Sequence, residues 1–133
     1  WVYNDGGNGI ILASSDTAGT TNFFAFWIDG DNKIVLETTS GTTSQKIRGT
    51  IAMSTGEWHS VAVVSDGTTS SIYIDAVAQT TGGTETTYLT MNANTIGSRA
   101  SGEFFDGYID QFRVFPSALT QAQVTDLYNE VGC

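Results

Sequence analysis

The stretch Gly56-Glu57-Trp58-His59-Ser60-Val61-Ala62-Val63-Val64 leads through Ser65-Asp66-Gly67 into Ser70-Ser71-Ile72-Tyr73-Ile74-Asp75. Aromatic and β-branched residues lie on both sides of an Asp-Gly pair, which tolerates the positive φ of a tight turn. Trp58 to Val64 and Ser70 to Asp75 therefore read as a β-hairpin. A second stretch, Phe105-Asp106-Gly107-Tyr108-Ile109-Asp110-Gln111-Phe112-Arg113-Val114, reads with its flanks as a strand from Phe104 to Phe115. Beyond Pro116 and Ala118-Leu119, Thr120 and Gln123 form a capping box, and Val124, Leu127 and Tyr128 fall on one stripe. This is the only predicted helix.

Working outward, Ile10 to Ser14 reads as a strand after the turn-rich Asn4 to Gly9, and Phe23 to Ile28 as a central strand apolar on both faces. Asp29-Gly30-Asp31-Asn32 turns it into a strand from Lys33 to Thr38, and Gly41 precedes another from Gln45 to Met53. Thr80 to Thr87 reads as a loop, Leu89 to Met91 and Thr95 to Ile96 as short strands, and Ser98 to Glu103 as a further loop. So many strands between closely spaced turns predict an all-β, antiparallel two-sheet sandwich.

The two opening stretches resemble laminin G-like domains, the concanavalin A-like jelly-roll sandwiches that include the pentraxins. That family pairs a Gly-x-Trp-His strand with a hairpin ending Tyr-x-Asp-Gly, and a Gly-x-Ile-Asp strand with a short helix. Here these are Gly56 to His59, Tyr73 to Asp75 with Ala76 in the glycine position, Gly107 to Asp110, and the helix after Pro116. The resemblance covers Trp58 to Asn129 and implies a jelly-roll fold for residues 1–133 as a single domain. Family members carry two more strands upstream, the second running into a pair like Trp1-Val2-Tyr3. The resemblance thus implies a domain lacking N-terminal strands, with an open sheet edge. Self-association through that edge, or through the terminal Cys133, is the corresponding expectation.

Composition bounds the partners. The 133 residues carry a formal charge of -9 with five Lys and Arg, which opposes nucleic acid and anionic membrane. No apolar run reaches membrane-spanning length. Cys133 is the only cysteine, so no internal disulfide forms. Thr, Ser and 15 Gly suit a turn-rich β-protein.

Catalysis finds little to use. Retaining glucanases of the concanavalin A-like fold need two carboxyls about 5 Å apart on one strand, whereas Glu37, Glu57, Glu85, Glu103 and Glu130 are isolated. His59 is the sole histidine, and a structural hydrogen-bonding role is its ordinary reading. The expectation is that the chain is not an enzyme.

Binding offers more. Sugar rings stack on aromatic faces, and Trp27, Phe23, Tyr3 and Tyr88 are the candidate contacts; Trp58 is expected in the core. Alternation places Asp110 on the face of Tyr108, Phe112 and Val114. It either caps backbone amides or contributes to a calcium site, for which Asp29, Asp31 and Asn32 are a second candidate cluster. The resemblance allows calcium as a cofactor.

Two function classes follow. The first is a non-catalytic carbohydrate-binding or adhesion module, recognising a glycan or surface glycoprotein, on an extracellular, cell or virion surface. The second is a structural subunit of a fibre, tail or other extracellular assembly built from the sandwich.

Overall fold

The computed structural model describes residues 1–15, 22–82, 93–99 and 102–130. Eleven strands and one helix are present among them: β1 Val2–Asn4, β2 Gly9–Ser15, β3 Asn22–Ile28, β4 Ile34–Ser40, β5 Thr43–Arg48, β6 Trp58–His59, β7 Val61–Ser65, β8 Ser70–Ile74, β9 Val77–Gly82, β10 Ala93–Ile96, β11 Gly107–Ile109 and α1 Gln121–Asn129. All described pairings are antiparallel.

One layer is a five-stranded sheet in the order β10-β2-β3-β4-β5. The other is made of two ladders, β11-β1-β6 and β7-β8-β9. These adjoin at Ser60, which separates β6 from β7 and accepts the Asp75 N–H at 2.8 Å. The inner faces meet in one apolar core: Val2 from β1 and Ile72 and Ile74 from β8 pack with Ile11, Phe26, Ile28, Ile34 and Leu36 of the facing sheet. This two-layer burial of alternate strand positions is the expected antiparallel sandwich.

The local turn chemistry explains the joints. Asp29 Oδ1 accepts the N–H groups of Asp31 and Lys33, and Asn32 takes the left-handed conformation at φ 57, which closes the β3–β4 hairpin. Thr120 caps α1 and Gln123 completes the capping box. Val124 is the buried residue of α1, and Tyr128 stacks on Trp1 with ring centroids 5.6 Å apart. The Gln121 amide donates to the Ala76 carbonyl at 2.8 Å. The helix therefore clasps the start of β1 and the β8–β9 turn.

Several expected boundaries change. Thr80 to Gly82, expected as the start of a loop, instead end the strand Val77–Gly82, which β8 pairs on both sides of an irregularity at Gln79. The expected strand from Gln45 to Met53 ends at Arg48. Of the expected strand from Phe104 to Phe115, only Gly107–Ile109 pairs with another strand; Phe104 makes a single bridge to Ser98. β1 lies between β11 and β6 in its ladder. Leu89 to Met91 and Cys133 lie outside the described residues. No described helix is long and apolar enough to cross a membrane.

Candidate functional site

The outer face of the β11-β1-β6 ladder carries a row of three aromatic rings. Register sets them side by side: Tyr3 of β1 is directly opposite Trp58 on β6 and Tyr108 on β11. The rings of Tyr3 and Trp58 meet edge to face at 5.7 Å and 63°, and those of Tyr3 and Tyr108 at 5.7 Å and 67°. Trp58 is 44% exposed and Tyr108 63% exposed. Edge-to-face pairs hold aromatic rings in place without covering their faces, so the row presents apolar surface to solvent.

Gly107 makes the row possible. Its φ is 139, and a side chain there would bring a Cβ to 1.9 Å from the Tyr3 carbonyl oxygen. Only glycine lets β11 approach β1 closely enough to align Tyr108 with Tyr3. Exposed acidic residues lie close by in sequence: Glu57 precedes Trp58, and Asp5 and Asp106, joined through an Asp5 N–H to Asp106 O bond of 3.3 Å, stand two residues from Tyr3 and Tyr108. Apolar ring surface with acidic residues in the adjoining segments suits a ligand that is apolar on one face and rich in hydroxyl groups at its rim.

Of the sequence-derived aromatic candidates, only Tyr3 joins this row. Phe23 is buried, with the Arg99 guanidinium 4.0 Å over its ring. Trp27 is half-buried beside it on the outer face of the five-stranded sheet, with the Lys46 ammonium 6.0 Å from its ring. Tyr88 lies outside the described residues. Trp58, expected in the core, is instead exposed because its position on β6 points away from the facing sheet.

A second constellation surrounds His59. Its Nε2 lies 2.8 Å from Ser54 Oγ and its Nδ1 lies 2.7 Å from Asp75 Oδ2. These contacts follow the order of the Ser-His-Asp relay of hydrolases, but Ser54 is also tied to Glu57, to whose carboxylate its hydroxyl donates, and Asp75 is shared with the main chain at Ser60. Asp75 Oδ1 accepts the Ser60 N–H at 2.8 Å. The network fastens the junction of the two ladders, in keeping with a structural histidine.

The candidate cation ligands are engaged elsewhere. Arg48 bonds both Asp29 and Asp31, the latter at 2.5 Å. Burial works to raise the Asp29 carboxyl, but the bonds from Arg48 and from the N–H groups of Lys33 and Asp31 outweigh it and hold the group below the usual carboxylate range. Asn32 Oδ1 accepts from Asn4 Nδ2 at 3.0 Å. With a guanidinium already seated among these oxygens, the set does not fit a calcium ion. Asp110 is exposed rather than buried: it shares the outward face of Tyr108 while Ile109 packs on the core. Its Oδ1 caps the Gln111 N–H at 2.7 Å. Among the described residues no three His, Cys, Asp or Glu side chains gather as a metal site.

Comparison with known proteins bears on this face. A laminin G family model described as the concanavalin A-like lectin/glucanases superfamily matches residues 1–125. Among curated proteins none matches. The CBM40 of Ruminococcus gnavus IT-sialidase bound to α2,3-sialyllactose is similar in structure, with a TM-score of 0.77 at 12% identity over 96% of this chain and 78% of that one. The heptameric SAP-like pentraxin of Limulus polyphemus gives a TM-score of 0.72 at 16% identity over 96% of this chain and 66% of its own. At these identities the likeness is one of fold.

Proposed function

The chain belongs to the concanavalin A-like lectin/glucanases superfamily, and on that premise we propose that it is a non-catalytic carbohydrate-binding module. In this reading the Trp58, Tyr3 and Tyr108 row receives the apolar face of a sugar ring, and Glu57, Asp5 and Asp106 accept hydrogen bonds from its hydroxyls. The observation that carries it is the exposed row itself: three cross-strand aromatic residues on an outer sheet face, fixed in register. The solved CBM40 bound to sialyllactose supports glycan binding as a use of this fold.

The acidic surroundings select among sugars. A formal charge of -9 and three carboxylates beside the row repel an acidic sugar and suit a neutral or amino sugar. In this reading the module works in adhesion, on an extracellular, cell or virion surface.

The test is titration of the wild-type chain and Trp58→Ala with neutral, amino and sialylated oligosaccharides, followed by amide chemical shifts. A neutral or amino sugar is expected to move the signals of Tyr3, Trp58 and Tyr108. Trp58→Ala should weaken binding by up to about tenfold, the worth of one aromatic stack of roughly 1 kcal/mol. Absence of any response at these residues to millimolar sugar would overturn the proposal.

A further inference from the structure

The aromatic row runs at right angles to the strands that carry it. Trp58, Tyr3 and Tyr108 are register partners on β6, β1 and β11, so each step along the row crosses one strand spacing of roughly 4.8 Å. Both steps between ring centroids are 5.7 Å. A pyranose is about as wide as one tyrosine ring, so a single sugar covers one member of the row and leaves the other two bare.

The row is also open where a pocket for a chain-end sugar would be closed. Sites that enclose a small ligand are concave and cover most of its surface. These three rings stand instead on an outer sheet face, and none of them lines the cavity of about 640 Å³ between β7 and residues 111–115. β11 and β6 are the outermost strands of their ladder, so within that ladder no strand lies beyond either end of the row. Trp58 and Tyr108, at the two ends, are both exposed.

The tilt of the rings bears on the shape of the ligand. Neighbouring rings are inclined by 63° and 67°, and a flat polysaccharide surface cannot lie against all three. A single chain whose successive sugar planes turn about its glycosidic bonds can follow them. Each ring also carries one polar group, the hydroxyls of Tyr3 and Tyr108 and the indole N–H of Trp58. Among the described residues none of the three is hydrogen-bonded to protein, which leaves each one for a sugar hydroxyl.

On the premise that the module binds carbohydrate, we propose that the row seats an internal stretch of one soluble, linear glycan. The stretch is at least three sugar residues long and lies across β6, β1 and β11, with one sugar residue to each ring. Affinity then accumulates from modest stacks along the chain, and neither chain end is read.

The experiment is calorimetric titration of the wild-type chain with oligomers of glucose, mannose, galactose and glucosamine, one to six sugars long, with amide chemical shifts to locate binding. For the oligomers that bind, the dissociation constant should fall about threefold or more with each sugar up to the third and then level off. Opening the reducing-end ring of the six-sugar oligomer with borohydride should leave its affinity unchanged. Tyr108→Ala, at an exposed side chain, should bring the plateau forward to two sugars, with unchanged β3 amide signals as the check on folding. A monosaccharide that binds at these residues as tightly as its trimer, or a plateau still at three sugars in Tyr108→Ala, would overturn the proposal and leave carbohydrate binding standing. Retention on crystalline cellulose or chitin without binding of any soluble oligomer would overturn it in favour of a flat surface. Absence of both retention and any shift at Tyr3, Trp58 and Tyr108 would remove carbohydrate binding at the row as well.

Discussion

Asp75 reaches His59 Nδ1 at 2.7 Å from a backbone that is itself left-handed, with φ 50. The same carboxylate holds the Ser60 N–H, so one side chain at the end of β8 governs the point where β6 gives way to β7. Asp75→Ala leaves both donors without their acceptor. It is expected to destabilise the fold by about 1–3 kcal/mol, seen as a lower urea midpoint at unchanged slope. Asp75→Asn keeps an acceptor for Ser60 and should cost less.

The next residue carries strain that can be relieved. Ala76 sits at φ 62, where a Cβ costs about 1–2 kcal/mol, in the position that the related glycine would fill. Ala76→Gly should be net stabilising by roughly 0.5–1 kcal/mol once the entropy of glycine is counted. A melting temperature higher by a few degrees would register it. Gln121 bonds the Ala76 carbonyl, not its side chain, so the helix contact survives the change.

Stability should depend on pH through the β7–β8 turn. The Thr69 N–H, with the hydroxyl and N–H of Thr68, holds the Asp66 carboxyl far below the usual range. A group with a depressed folded pKa contributes stability above its unfolded value near 3.9 and loses it as pH falls toward the folded value. Asp66→Ala should therefore lower the melting temperature at pH 7, and the difference from wild type should shrink below about pH 4.

Millimolar calcium is expected to leave the melting temperature of the wild-type chain unchanged, because Arg48 already neutralises Asp29 and Asp31. Arg48→Ala frees those carboxylates, and a calcium response should appear only there. A rise in the wild type that disappears in Asp110→Ala would instead locate an ion at Asp110.

The legible parts of this fold were the local ones. Asp29 to Asn32, Asp66-Gly67 and the Thr120 to Gln123 capping box satisfy their own backbone within a few residues, so their geometry is carried in short sequence. β9 was missed because its polar residues show no periodicity; the β8 ladder, not a hydrophobic face, makes it a strand. The reach of β11 was overestimated because alternation from Tyr108 to Val114 shows what can pair, not what partner is there. The site was half legible. Tyr3 was named, but Trp58 was assigned to the core, and alternation alone cannot tell which face of a strand meets the opposite sheet. Ser54 and Asp75 stand 5 and 16 residues from His59, and only the ladder junction brings them together.

The placement of β1 between β6 and β11 has a consequence for the order of assembly. Its two partners begin more than fifty and more than a hundred residues downstream, and the Trp1 to Asp110 bonds close a span of 109 residues. During synthesis at about 5–20 residues per second, the five-stranded sheet can pair its hairpins while β1 still waits for β11. The aromatic row and the core position of Val2 are thus late products of folding, completed only by the most distant loop closure.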